Sequence, residues 1–309
     1  MKMTLALLLL AVASGCATPP RTPALDVADP GRLPSASLAL SVPGLRPCSE
    51  GEDRALHLDP QQPVNILVYG HNGTVDGFRG LAAAFAAQGQ QTVCFDYDGR
   101  ASLMQVSGQL AGAIDQLASR LATPSITVIG HSLGGLIARK ALVRDRADPV
   151  RSANVELQLV TISTPFSGVA AARMCASPAL RVGTLGLTDL VCWLISGDDW
   201  YEITPASDFI RHPGELQPQV RRHLMIVTDE RGTCRRHAES GQCIEGDYVL
   251  SLAEQQLPTA TPPSRSTLVE VPAGHSEIIG GADAIPRKLI AVFEREGLVR
   301  SGNLAKRAE

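Results

Sequence analysis

Between Ile126 and Leu142 the chain reads ITVIGHSLGGLIARKAL, an apolar β-branched run and a helix-forming run separated only by GHSLGG. A continuous apolar stretch rich in Ile and Val suits a strand buried on both faces. The residues that follow have the composition of a helix. So short a link permits one sharp turn, and a sharp turn needs small neighbours to avoid clashes. Gly130, Gly134 and Gly135 supply them, leaving Ser132 at the apex.

The rest of the chain repeats this strand-then-helix rhythm. VNILVY from residue 64 is followed by a helical run from Phe78 to Ala87, QTVCFDY by one from Leu103 to Leu121, and the turn helix by VELQLVTI. Alternation of this kind predicts a mostly parallel central sheet with helices on both faces. After Ile162 it breaks. About fifty residues, roughly 166–220, carry several prolines, two cysteines and both tryptophans before RRHLMIVTD restores a strand. The apolar groups DLVCWLI and DDWYEI within it suit either a lid over a pocket or a small packed subdomain. A last strand, STLVEV, precedes AGHSEII, and a helix over Ala284 to Arg295 closes the domain. With 44% apolar residues in 309, the chain can fill one large core. Its net charge of -3 comes from 28 basic and 31 acidic residues without a long single-sign run, which argues against a nucleic-acid partner.

The N-terminus stands apart. MKMTLALLLLAVASGC has a lysine, an apolar stretch and small residues before Cys16, the pattern of an export signal. The apolar stretch is short of the roughly 20 residues a membrane span needs. Ala13-Ser14-Gly15-Cys16 resembles a bacterial lipobox, with Ala13 where leucine is usual, and this implies a lipid-carrying Cys16. Ala17 in place of an aspartate resembles outer-membrane lipoproteins, so the expected location is the bacterial cell envelope, anchored at the outer membrane. Residues 17–37, rich in proline and small residues, read as a flexible tether, residues 38–299 as the domain and 300–309 as a charged tail.

Export changes the meaning of the other six cysteines, since thiols oxidise outside the cytoplasm. Proximity in the chain pairs Cys234 with Cys243 and Cys175 with Cys192, leaving Cys48 for Cys94. A metal site is not indicated: there is no CxxC pair and no histidine cluster beside the cysteines.

Gly130-His131-Ser132-Leu133-Gly134 also matches G-x-S-x-G, and its place between a buried strand and a helix is that of a nucleophile elbow. A serine hydroxyl needs a base to remove its proton. Of the seven histidines, His275 follows the last strand, where a loop can reach over the strand ends toward Ser132. The imidazole in turn needs an acid. Asp247 in EGDYVLSLAEQQ, immediately before a helical run, and Asp229 at the end of LMIVTD both qualify, and RGTCRRHAESGQC between them reads as a disulfide-closed hairpin.

From Pro63 to Phe293 these features resemble the α/β-hydrolase superfamily, in particular its lipases and esterases. GDYV is similar to the acid segment of those enzymes, where an aspartate stands two positions before a valine, which favours Asp247 and keeps Asp229 as the alternative. LVYGHNGTVDGF resembles their VHGxGG loop, with Tyr69 in place of the usual histidine. This implies an oxyanion hole made by the backbone N–H groups of His71 and Leu133. FDYDGRASL and ISTPFSGVAAA are similar to further loops of the same enzymes. The resemblance implies an α/β-hydrolase fold with a disulfide-containing lid or cap after the strand that follows the Ser132 helix. It implies a Ser-His-Asp triad acting on an ester or lipid substrate, with no cofactor. Acyl transfer or thioester cleavage on the same fold, and a lipoprotein that binds without turnover, are the alternative readings.

Overall fold

The computed structural model describes residues 29–174, 182–184, 201–257 and 265–300. Strands β1 (Leu38–Leu40) and β3 (Leu56–Leu58) form a small antiparallel pair at the start of the domain. Among the described residues the main sheet has seven strands: β2 (Leu45–Arg46), β4 (Val64–Val68), β5 (Gln91–Phe95), β6 (Ser125–His131), β7 (Glu156–Ile162), β8 (Val220–Asp229) and β11 (Ser266–Pro272). Their spatial order is β11-β8-β7-β6-β4-β5-β2, and every pairing is parallel except that of β2 with β5. Strands β9 (Cys234–His237) and β10 (Cys243–Gly246) form a separate hairpin after β8.

The helices cover both faces. On β4, Val64, Ile66 and Val68 join the core beneath α2 (Leu103–Ala118) and α3 (Leu133–Ala141), where Val106, Leu110, Ile114 and Ile137 are fully buried. Leu67 and Tyr69 face the opposite core, formed with α1 (Arg79–Ala87) and the last helix, α4 (Arg287–Arg295). Phe85 of α1 stacks on Phe293 of α4 with ring centroids 5.6 Å apart, which joins the two helices on that face. The alternation of side chains along β4 thus feeds two cores, as a strand covered on both faces must.

Three expectations change. Residues 29–37, read as tether, are partly built into the domain: Leu33 is buried and the Gly31 carbonyl accepts the Thr92 N–H at 3.0 Å. The last helix begins at Arg287 rather than Ala284, because Pro286 disfavours helical backbone in the residue before it and stands as the N-cap. The helical run expected after Asp247 is a single turn. Ser251 and Glu254 form a capping box, with Glu254 Oε2 accepting the Ser251 N–H at 2.8 Å, but no helix propagates from it.

Two disulfides join the pairs expected, Cys48 to Cys94 and Cys234 to Cys243, with Cα atoms 5.0 and 5.9 Å apart. The first ties the N-terminal segment to β5. The pair Cys175 and Cys192, the signal segment with Cys16, both tryptophans and the tail from residue 301 lie outside the described residues. The described end of the 166–220 insertion is anchored from below by α3. Arg139 donates to the carbonyls of Pro213 and Gly214, and Lys140 to that of His212 at 2.6 Å with its ammonium 4.7 Å from the Phe209 ring. Glu202 accepts the Leu103 N–H at 2.6 Å and so caps the start of α2.

Candidate active site

Strand β6 ends at His131 and α3 begins at Leu133, so Ser132 alone makes the turn. Its backbone has φ 53° and ψ -125°, a region that side chains other than glycine rarely occupy. Among the described residues, two other non-glycine residues have positive φ, Asn72 and Ser163. Both follow a parallel strand at its C-terminal end, β4 and β7, so the strain gathers at one edge of the sheet. That is the edge where open parallel sheets bind ligands.

Two glycines make the turn possible. A Cβ on Gly134 would lie 2.2 Å from the Val68 carbonyl oxygen, so only glycine lets α3 start against the end of β4. A Cβ on Gly70 would lie 2.8 Å from the Ser132 Cβ and 3.3 Å from the Leu133 nitrogen. Glycine at 70 therefore leaves the Leu133 amide uncovered. That amide is one of the first four of α3, which have no acceptor within their own helix. The Ser132 N–H is already committed, donating to the Ile162 carbonyl at 2.8 Å. His71 follows Gly70 on an exposed loop, one residue before strained Asn72. Tyr69 stacks on Tyr97 at 4.6 Å and its hydroxyl donates to Asp96 at 3.0 Å, which fixes the wall of this loop. Burial pushes the Tyr69 hydroxyl up to a pKa of about 12, so it stays a donor at neutral pH.

The loop after β11 brings His275 to the same edge. His131 Nε2 lies 2.9 Å from the His275 carbonyl oxygen, and the two rings are 4.7 Å apart. Facing a carbonyl, Nε2 of His131 must carry a proton. Burial, the largest cause, holds His131 well below the usual histidine range, so it is neutral and serves as a fixed donor. His275 is thereby held by the residue adjoining Ser132.

The carboxylate paired with His275 is neither aspartate singled out in the sequence. His275 Nδ1 lies 2.8 Å from Oε1 of Glu230, which is fully buried at the end of β8. Glu230 Oε1 also accepts the Thr228 hydroxyl at 3.0 Å, while Oε2 accepts the N–H groups of Val249 and Leu250 at 2.6 and 2.8 Å. Asp247 faces the backbone instead: its carboxylate accepts the N–H groups of Ser276 and Glu277 at 3.0 and 2.9 Å. Asp229 is taken up by Arg231, two hydrogen bonds at 2.7 and 2.6 Å that hold its pKa below the usual carboxylate range. His275 is thus paired with Glu230, and neither with Asp247, the acid expected from the sequence, nor with Asp229, its alternative. The chain order serine, acid, histidine already allowed Glu230, since the acid at that place is Asp or Glu. Attention to aspartates alone passed over the residue directly after Asp229.

With a carboxylate on Nδ1, the imidazole proton sits there and Nε2 is left as an acceptor, the state a general base needs. The edge of the sheet thus gathers a strained serine, an oriented imidazole and backbone N–H groups at a helix start. Such a set suits nucleophilic attack on a carbonyl.

The family described as a PGAP1-like alpha/beta domain matches residues 96–174, a stretch that runs from the end of β5 past the elbow and β7. Among solved structures, the Bacillus licheniformis lipase BlEst2 is similar. Its mature form is 17% identical with a TM-score of 0.51, over 78% of this chain and 94% of that one. Its propeptide form is 18% identical with a TM-score of 0.54, over 80% of this chain and 52% of that one. No curated protein matches the sequence. The likeness is one of fold, and the fold of this chain is that of the α/β hydrolases.

Proposed function

We propose that this protein is a serine hydrolase that cleaves carboxylic esters. The observation that carries the reading is the backbone of Ser132, held at φ 53° between β6 and α3, at the edge that also carries a carboxylate-paired His275. Strain of this kind costs on the order of 1–3 kcal/mol and is kept where geometry at a reacting atom matters. Ser132 is the nucleophile, His275 the base and Glu230 the acid. The N–H groups of Leu133 and His71 receive the oxyanion.

The steps follow from these roles. Ser132 Oγ attacks the ester carbonyl carbon while its proton passes to His275 Nε2. The carbonyl oxygen takes the negative charge and is met by the two N–H groups. As the tetrahedral intermediate collapses, the bond from carbon to the alkoxy oxygen breaks, and that oxygen leaves as alcohol with the proton from Nε2. Water, deprotonated by the same nitrogen, then attacks the acyl carbon; the bond from that carbon to Ser132 Oγ breaks, Oγ takes the proton back from Nε2, and the carboxylic acid is released. Glu230 keeps the proton on Nδ1 and stabilises the imidazolium in each half. No metal or cofactor enters these steps.

A lipid anchor at Cys16 would set the domain at a membrane surface of the cell envelope, in keeping with an acyl-bearing substrate. The similarity in fold to a lipase supports the same class of substrate.

The test is covalent labelling of the purified mature protein with a fluorophosphonate, beside Ser132→Ala. Wild type is expected to label and the variant not to. Equal labelling of both would remove Ser132 as the nucleophile. A series of p-nitrophenyl esters of increasing acyl length then reads the acyl preference, and no turnover along the whole series would remove ester hydrolysis.

A further inference from the structure

Asp247 is buried, with 2% of its side chain exposed, and its carbonyl and both carboxylate oxygens are tied to the His275 loop. Its carbonyl accepts the His275 N–H at 2.9 Å, and its carboxylate accepts the next two N–H groups, those of Ser276 and Glu277. Gly274 makes this possible, because a Cβ there would lie 2.2 Å from Asp247 Oδ2. The loop is therefore gripped on both sides of the imidazole.

What holds Asp247 comes from the hairpin. Arg235, on β9, reaches Asp247 Oδ1 through Nη2 at 3.1 Å and Nε at 3.3 Å, and Glu245 through Nη1 at 3.3 Å. Arg235 directly follows Cys234, whose disulfide to Cys243 closes the hairpin. The Asp247 N–H donates to the Thr233 carbonyl at 3.2 Å, at the foot of the same strand. Apart from Arg235, the donors to the Asp247 carboxylate are backbone N–H groups. Among the described residues, Arg235 alone brings a full positive charge to that carboxylate, and it does so from the surface, with 44% of its side chain exposed.

We propose that Arg235, set by the disulfide-closed hairpin, is a positioning residue for His275: it fixes the Asp247 carboxylate, which fixes the loop that carries the base. The inference rests on the roles proposed for Ser132 and His275. The hairpin is then a brace on the catalytic base as well as a surface insertion. Misplacement of a reacting group by about 1 Å can lower rate by about a hundredfold, so loosening the brace has a measurable range in which to act.

The experiment follows the rate of fluorophosphonate labelling of Ser132, and the kcat and KM for p-nitrophenyl acetate, in wild type, Arg235→Gln, Arg235→Lys and the double variant Cys234→Ser, Cys243→Ser. Ser132→Ala is the blank. Arg235→Gln is expected to lower the labelling rate and kcat about tenfold with KM within about twofold, and Arg235→Lys to recover most of the loss. Adding Arg235→Gln to the cysteine double variant is expected to cost little more, since both act through Asp247. Labelling of Arg235→Gln at the wild-type rate would overturn the inference while leaving the hydrolase reading intact. Equal losses in the Gln and Lys variants would overturn it too, because the charge would then not be what acts. A wild type that labels no better than Ser132→Ala would remove the reading on which the brace depends.

Discussion

The two ends of the candidate site are built in opposite ways. At the nucleophile end, a run of six residues, GHSLGG, contains the turn, the serine and three of the glycines that let β6, β4 and α3 meet, with Gly70 after β4 as the fourth. At the acid and base end, the groups come from residues 228–235, 247–250 and 274–277, joined by hydrogen bonds between side chains and distant backbone. Sterics governs the first end and polar satisfaction the second. The steric requirement at the elbow is met mainly by small residues close together in the chain, with Gly70 the one that arrives from another strand end. A buried carboxylate is satisfied by whichever N–H groups the fold delivers.

Exchange of the two carboxylates tests this contrast most sharply. Glu230→Gln is expected to lower kcat for p-nitrophenyl esters about a thousandfold or more, as loss of a triad acid does. Asp247→Asn, which keeps an acceptor for the loop N–H groups, is expected to lower it about tenfold. The reverse order would return the acid to Asp247 and break the assignment.

A single methyl probes the steric end. Gly70→Ala drives a Cβ to within 2.8 Å of the Ser132 Cβ unless the backbone shifts. Labelling by fluorophosphonate should slow about a hundredfold while the far-ultraviolet circular dichroism spectrum holds. A wild-type rate would show that β4 and the elbow are not in tight register.

The smallest effect concerns the scaffold beneath both ends. His223 of β8 is fully buried against Thr161 of β7, with Nε2 2.9 Å from the threonine hydroxyl. Burial pushes its pKa down to about 3, and the nearby Arg139 charge adds to the shift. In the unfolded chain the same group takes up a proton near pH 6.5. Between those values the unfolded state binds the extra proton, so this contribution to stability is complete above about pH 6.5 and is lost as pH falls toward 3. The loss should approach about 1 kcal/mol per pH unit in urea titrations between pH 6 and 4. His223→Gln should flatten that slope, and an unchanged slope would assign it to other groups.

Particular residues show how far the sequence could be read. Six strands of the main sheet, all but the two-residue β2, are apolar runs of predictable length, and the alternation with helices pointed to their parallel pairing. The sharp turn at Ser132 and the arrival of His275 at the same edge of the sheet were legible because one sits in a contiguous motif and the other follows the last strand. The disulfides Cys48 to Cys94 and Cys234 to Cys243 followed from nearness in the chain and the parity of the count. Glu230 was not legible in the same way. It and Asp247 stand 17 positions apart across a hairpin, both are buried acids, and nothing local says which one turns to the imidazole. The motif around Asp247 led to an acid for His275, and the structure shows its carboxylate on the backbone of the His275 loop.

The sequence by itself determined the sheet, the elbow and the order in which Ser132 and His275 reach its edge, because apolar periodicity and most of the steric need are properties of neighbours in the chain. Only the tertiary structure decided which carboxylate meets His275 and which one holds its loop. That choice depends on hydrogen-bond donors from residues far apart in sequence, and their positions exist only after β8, the hairpin and β11 have packed together.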